Sequence, residues 1–200
     1  MARLWSTGFE LNSLSGNVEF NNLGGGTGGA VVTTPVHGGT YSYQNKPTAA
    51  GMRLTHNYDS STNKTIFFRA YYYVVSRSST SIVAFVFTNN NQVNVSCAIR
   101  NYTSGIRLTD AAGTQQGADV PLNLNQWYRI ELKVFSHATT GTADLWVDGV
   151  SQLSLTGLNT GGYNCQGIQI GSGSSDTHEW YVDDVAINDS TGSFQNSWCG

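Results

Sequence analysis

Apolar and polar residues alternate with a period of two along most of the chain. They do not recur at the three-, four- and seven-residue spacing of an amphipathic helix. A period-two chain can bury one face only as a sheet, so this pattern restricts the fold more than any other feature. Residues 125–136 show it most cleanly. Tyr128, Ile130, Leu132 and Val134 share one parity, and Arg129, Glu131 and Lys133 share the other. In 142–149, Ala143, Leu145 and Val147 face in while Asp144, Trp146 and Asp148 face out. Asp148-Gly149 is then a hairpin turn, with 150–156 as the returning strand. Further strands are predicted over 64–76, 80–88, 93–100, 105–110, 167–171 and 178–188, with shorter ones at 4–10, 17–22, 30–34 and 40–44. Many short strands separated by turn residues predict an all-β, two-sheet antiparallel sandwich. Its expected core includes Phe68, Ala70, Tyr72, Ile82, Val86, Val95, Ile130, Leu132, Leu145, Val147, Ile168 and Ile170.

Charge narrows the function. Only 12% of the 200 residues are Asp, Glu, Lys or Arg, and the net charge is −3. No basic face is available to neutralise phosphates, so no nucleic-acid partner is expected. Twelve per cent aromatic residues at low net charge can support a packed core, which excludes a disordered chain. No run is long and apolar enough for a membrane-spanning helix, and the first ten residues lack the apolar stretch of a signal peptide. The Gly24 to Gly29 run reads as a surface loop of one domain spanning 1–200. Cys97, Cys165 and Cys199 form no CxxC pair. Cys97 reads as a core residue and Cys199 as exposed or frayed.

Four segments carry a resemblance: Gly8-Phe9-Glu10, the stretch His37 to Ser42, Asn125 to Gly149, and Trp180 to Asp189. In this order they resemble the concanavalin A-like jelly roll, the superfamily of laminin-G-like domains, legume lectins and laminarinase-type glucanases. The resemblance implies a jelly roll of two antiparallel curved sheets with the first and last strands as neighbours. It also implies a structural Ca²⁺ held by Glu10, the Gly39 carbonyl and Asp183. Asp184, next along the strand, is expected on the opposite face.

The four Glu do not form the carboxylate triplet of laminarinase-type enzymes, and no Gln-x-His motif pairs with an Arg-x-Glu as alginate-lyase relatives of the fold require. His37, His56, His137 and His178 read as solvated or capping residues at turns and strand starts. No catalytic residues are expected. Tyr71 and Tyr73, which share a face with Arg69, and Trp146 with Asp144 are the candidate sugar platform. Abundant uncharged polar residues, scarce Lys and the missing signal favour a non-catalytic virion structural protein, a capsid decoration or tail component. Such a protein would self-associate and contact other virion proteins or a cell-surface glycan. The alternative is a carbohydrate-binding module or lectin of a cellular, extracellular protein.

Overall fold

The structure is a computed structural model; it describes residues 3–14, 19–47, 49–58, 64–89, 94–191 and 197–199. Those residues form two antiparallel sheets and no helix, so none is long and apolar enough to cross a membrane. The eight-stranded sheet runs β13 (Val150–Leu158), β12 (Gly141–Val147), β11 (Trp127–Phe135), β6 (Thr65–Ser76), β15 (Glu179–Asp189), β4 (Ser42–Asn45) and β3 (Gly29–Val32). There β1 (Arg3–Thr7) also pairs with β15. The seven-stranded sheet runs β10 (Gln115–Pro121), β9 (Gly105–Thr109), β8 (Val95–Tyr102), β7 (Ile82–Thr88), β14 (Gly167–Gly171), β5 (Met52–Asn57) and β2 (Asn22–Gly25). The first and last strands are antiparallel neighbours, with Trp5 opposite Ile187 and Thr7 opposite Val185.

One apolar layer lies between the sheets. Phe68, Ala70, Tyr72 and Val74 of β6 meet Phe85 and Phe87 of β7, and Ile130, Leu132, Leu145, Ile168, Ile170 and Trp180 join them. Phe68 packs edge-on to Phe87 at 5.1 Å between ring centres. Each fully buried side chain of this size contributes ~2–3 kcal/mol by leaving water.

Three expected core residues fall outside this layer. On β7 both parities are apolar, so alternation cannot set the phase, and the larger Phe85 and Phe87 take the inner positions. Val86 is buried on the outer side, and Ile82 is buried but outside the main cluster. Val95 is only half-buried, because the β7–β8 register skips a residue between the Phe87–Cys97 and Thr88–Val95 pairs.

Other expectations are corrected as well. Strands β5 and β10 were not expected. The glycine run is not all loop: β2 extends to Gly25 and β3 begins at Gly29. Within the predicted strand 17–22, positions 17 and 18 lie outside the described residues and 19–21 are not strand. All three cysteines are free and buried. Cys199 is not frayed: its thiol points to the carbonyls of Phe67 and Ala186 at 3.3 and 3.5 Å. His178 is 1% exposed, and its ring nitrogens meet Asn45 and the Asp176 carbonyl.

Candidate functional site

The outer face of the seven-stranded sheet carries a row of aligned side chains. Thr55, Gln169, Val86, Ala98 and Thr109 are register partners across β5, β14, β7, β8 and β9. Each strand places these residues outward because its neighbours in sequence, such as Ile168, Ile170, Ile99 and Leu108, are drawn into the core. A second row sets Val83 beside Arg100 and Arg100 beside Arg107.

A hollow of about 390 Å³ opens above this surface, lined by Arg53, Val86, Ala98, Arg100, Asp110 and Gln169 among others. It shares Val95, Ala111 and Ala112 with a hollow of about 360 Å³ at Asn94, Asn159 and Tyr163. On another side it shares Arg100, Thr109 and Gly113 with one of about 230 Å³ at Ser81 and Gln115. The three adjoin as one open groove. The turn between β9 and β10 forms its wall. Asp110 shapes that turn by accepting the N–H groups of Ala112 and Thr114 at 3.0 and 2.9 Å on one oxygen and the Gln116 amide at 2.9 Å on the other.

The groove presents amides, hydroxyls, the guanidinium groups of Arg53, Arg100 and Arg107 and, at one end, the exposed ring of Tyr163. Arg107 is neutralised by a two-pronged pair with Asp119 at 2.7 and 2.9 Å. Burial pulls the Arg100 guanidinium below its ordinary value. No His, Glu or Cys is among the residues that line these three hollows. The sequence reading missed this site because Arg53 lies on an unexpected strand. Arg100 and Gln169 could have been found as the outward parity between paired core residues.

The expected sugar platform lies on the other sheet. Arg69, Tyr71 and Tyr73 share the outer face of β6, as the alternation predicts, and Trp146 is two strands away. These groups are occupied by the protein itself. Tyr71 stacks under His37 at 3.4 Å, and Tyr73 packs on Trp127 and Tyr181. Trp146 meets Trp198 of the C-terminal segment at 5.8 Å. Arg69 donates to the Cys199 carbonyl at 2.7 Å, and Asp144 accepts from Ser154 at 2.7 Å. The chain does hold one Arg-x-Glu, Arg129 and Glu131. It forms an ion pair at 3.0 Å on this same face, away from the groove.

The expected ion ligands do converge, in an altered arrangement. A bulge in β15 between Asp183 and Ala186, with Asp184 at a positive φ of 47°, turns both carboxylates to the loop 37–41. Asp184 is therefore not on the opposite face. Asp183 is fully buried and accepts N–H groups of His37 and Gly38 at 2.9 and 3.2 Å, while Asp184 meets the His37 ring at 2.9 Å. Glu10 accepts N–H groups of Thr40 and Tyr41 at 3.0–3.2 Å. Gly39, at φ +66°, leaves room for it: a Cβ there would lie 2.2 Å from a Glu10 oxygen. Burial pushes the Asp183 carboxyl up to about 6. Among the described residues, no group of three or more His, Cys, Asp and Glu side chains is arranged to hold a metal ion. The carboxylates are hard donors of the kind Ca²⁺ takes, and an ion here would compete with the loop's own N–H groups.

No protein-family model matches the sequence, and no curated protein matches it. Solved structures do match in fold. The cellulose-induced protein Cip1 superposes with a TM-score of 0.71 at 15% identity, over 98% of this chain and 99% of its own. Domain 4 of AbnA, an extracellular arabinanase from Geobacillus stearothermophilus solved with arabinotriose, gives 0.64 at 12% identity over 94% and 92%. The alginate lyase Aly36B, a mutant in complex with alginate trisaccharide, gives 0.57 at 11% identity over 93% and 97%. At these identities the likeness establishes the fold alone, an all-β jelly-roll sandwich.

Proposed function

We propose that this protein binds a carbohydrate chain in the groove on the seven-stranded sheet without turning it over. The groove itself carries the reading. It is open along its length, as a polymer needs, and its floor offers amide, hydroxyl and guanidinium donors at the core-defined spacing of a sheet. Tyr163 supplies an exposed ring for stacking. Two of the fold neighbours, AbnA domain 4 and Aly36B, were solved with bound saccharides, which supports the alternative reached from the sequence. The virion setting rests on composition and the missing signal, and none of the fold neighbours named above is a virion protein.

Binding without chemistry is favoured by the residues present. The one carboxylate that lines the groove, Asp110, has both oxygens engaged by three donors, and no imidazole is among the lining residues to move a proton. We include a structural Ca²⁺ at Glu10, Asp183 and Asp184 in the proposal. It would tie the first strand region to the last and add its binding energy to stability.

The test is retention of the protein on a panel of insoluble and gel-embedded polysaccharides, with product formation assayed on the same panel. We expect retention on at least one polysaccharide and no release of sugar. Failure to bind any of them would overturn the reading. Turnover abolished by a groove substitution would overturn its non-catalytic half.

A further inference from the structure

The ten Lys and Arg side chains divide by what they meet. Four have an acid: Lys46 with Glu179, Arg107 with Asp119, Arg129 with Glu131 and Lys133 with Asp144. Four others donate to a neutral oxygen at 2.6–3.1 Å: Arg3 to Asn188, Lys64 to the Gly162 carbonyl, Arg69 to that of Cys199 and Arg77 to that of Leu122. The remaining two are Arg53 and Arg100, and both line the same hollow.

Arg53 is exposed, and its guanidinium has no hydrogen bond or ion pair to the described residues. Arg100 is half-buried and makes only long contacts to neutral groups, 3.3 Å to the Thr109 hydroxyl and 3.4 Å to the Ser81 carbonyl. A desolvated guanidinium without a counter-charge is destabilising, and a planar carboxylate can meet two of its N–H groups at once. Asp110, the acid on the wall, is turned to its own loop. Gln169, 8% exposed, stands on the floor of the same hollow.

We propose that the groove selects acidic saccharides, with Arg100 taking the carboxylate of a uronic acid unit and Arg53 holding a second acidic unit of the same chain. This rests on the reading of the groove as a carbohydrate site and adds the class of sugar. It gives an otherwise acidic protein a local reason to attract an anionic polymer.

Isothermal titration with oligosaccharides of equal length, one polyuronate, one sulfated and one neutral, tests it. The polyuronate is expected to bind about tenfold or more tighter than the neutral chain, with affinity falling several-fold as salt rises from about 0.05 to 0.3 M. Arg53→Gln and Arg100→Gln should each lose about five- to tenfold for the polyuronate and distinctly less for the neutral chain. Arg53 is exposed, so its variant keeps the fold, and a thermal melt checks both. Neutral binding as tight as the polyuronate, or affinity indifferent to both substitutions, would overturn the inference and leave the carbohydrate reading standing. Tighter binding of the sulfated chain would overturn the carboxylate assignment. Binding of none of the three, together with no retention on the wider polysaccharide panel, would overturn the carbohydrate reading itself.

Discussion

The outer faces of the two sheets differ in what their polar and aromatic groups already touch. On the eight-stranded sheet, Tyr71, Tyr73 and Trp127 pack with His37 and Tyr181, and Trp146 lies against Trp198. Its charges are paired as Lys46–Glu179, Arg129–Glu131 and Lys133–Asp144. On the seven-stranded sheet the groove holds Arg53, Arg100 and Gln169, none of them with an acidic partner among the described residues. Aromatic content alone would point to the first face as the sugar site. Remaining hydrogen-bonding capacity points to the second, because a group already satisfied within the fold gains little from a ligand.

If the first face is structural, substitutions there should cost stability and spare binding. Asp183→Ala is the strongest case, since it leaves the N–H groups of His37, Gly38 and Asp184 without their acceptor. The expected loss is about 3 kcal/mol, a fall in Tm of roughly 6–12 °C, with saccharide affinity within about twofold of wild type. A Ca²⁺ tie at the same place predicts that a chelator lowers the Tm of the wild type by several degrees and leaves Asp183→Ala unmoved. Identical melts with and without chelator would remove the ion from the account.

On the groove the effects should reverse. Tyr163→Ala should weaken saccharide binding by about 1–2 kcal/mol, roughly five- to thirtyfold, and leave the Tm within a degree or two. Titration calorimetry and a melt on the same sample check both. Trp198→Ala is the smaller test of the first face. It should cost about 1 kcal/mol of stability by uncovering Trp146 and Phe67, and saccharide affinity should not change.

A further test of the first face is in pH. The Asp183 carboxyl sits at about 6 in the fold and near 4 in the unfolded chain. Between those values the folded state holds a proton that the unfolded state has released. Its contribution is therefore full below about pH 4 and is lost as pH rises through about 6. Melts in chelator should show a shallow decline over that window, and Asp183→Asn should flatten it.

How far the sequence could be read follows from the same physics. Strands β6, β11 and β12 were legible because one parity is apolar and the other polar or aromatic, and their inner residues fell as expected. Strand β5 escaped because its buried apolar residue, Leu54, stands among Arg53, Thr55, His56 and Asn57. Strand β10 escaped because Gln115, Gln116, Gly117 and Asp119 give no apolar alternation. Glu10 and Asp183 both meet the 37–41 turn in the structure, but the β15 bulge that turns Asp184 toward His37 is invisible to a period-two count. The groove needs five separate strands in register, and no single segment announces that.

The most direct test of the central claim is a map of amide shifts in a ¹⁵N-labelled sample during titration with a soluble acidic oligosaccharide. The account expects the largest changes at Ala98, Arg100, Thr109 to Gly113, Tyr163 and Gln169, with the Trp127 and Trp146 indole signals unmoved. Changes concentrated at Tyr71, Tyr73, Trp127 and Trp146, with the groove silent, would contradict it and return the sugar site to the aromatic face.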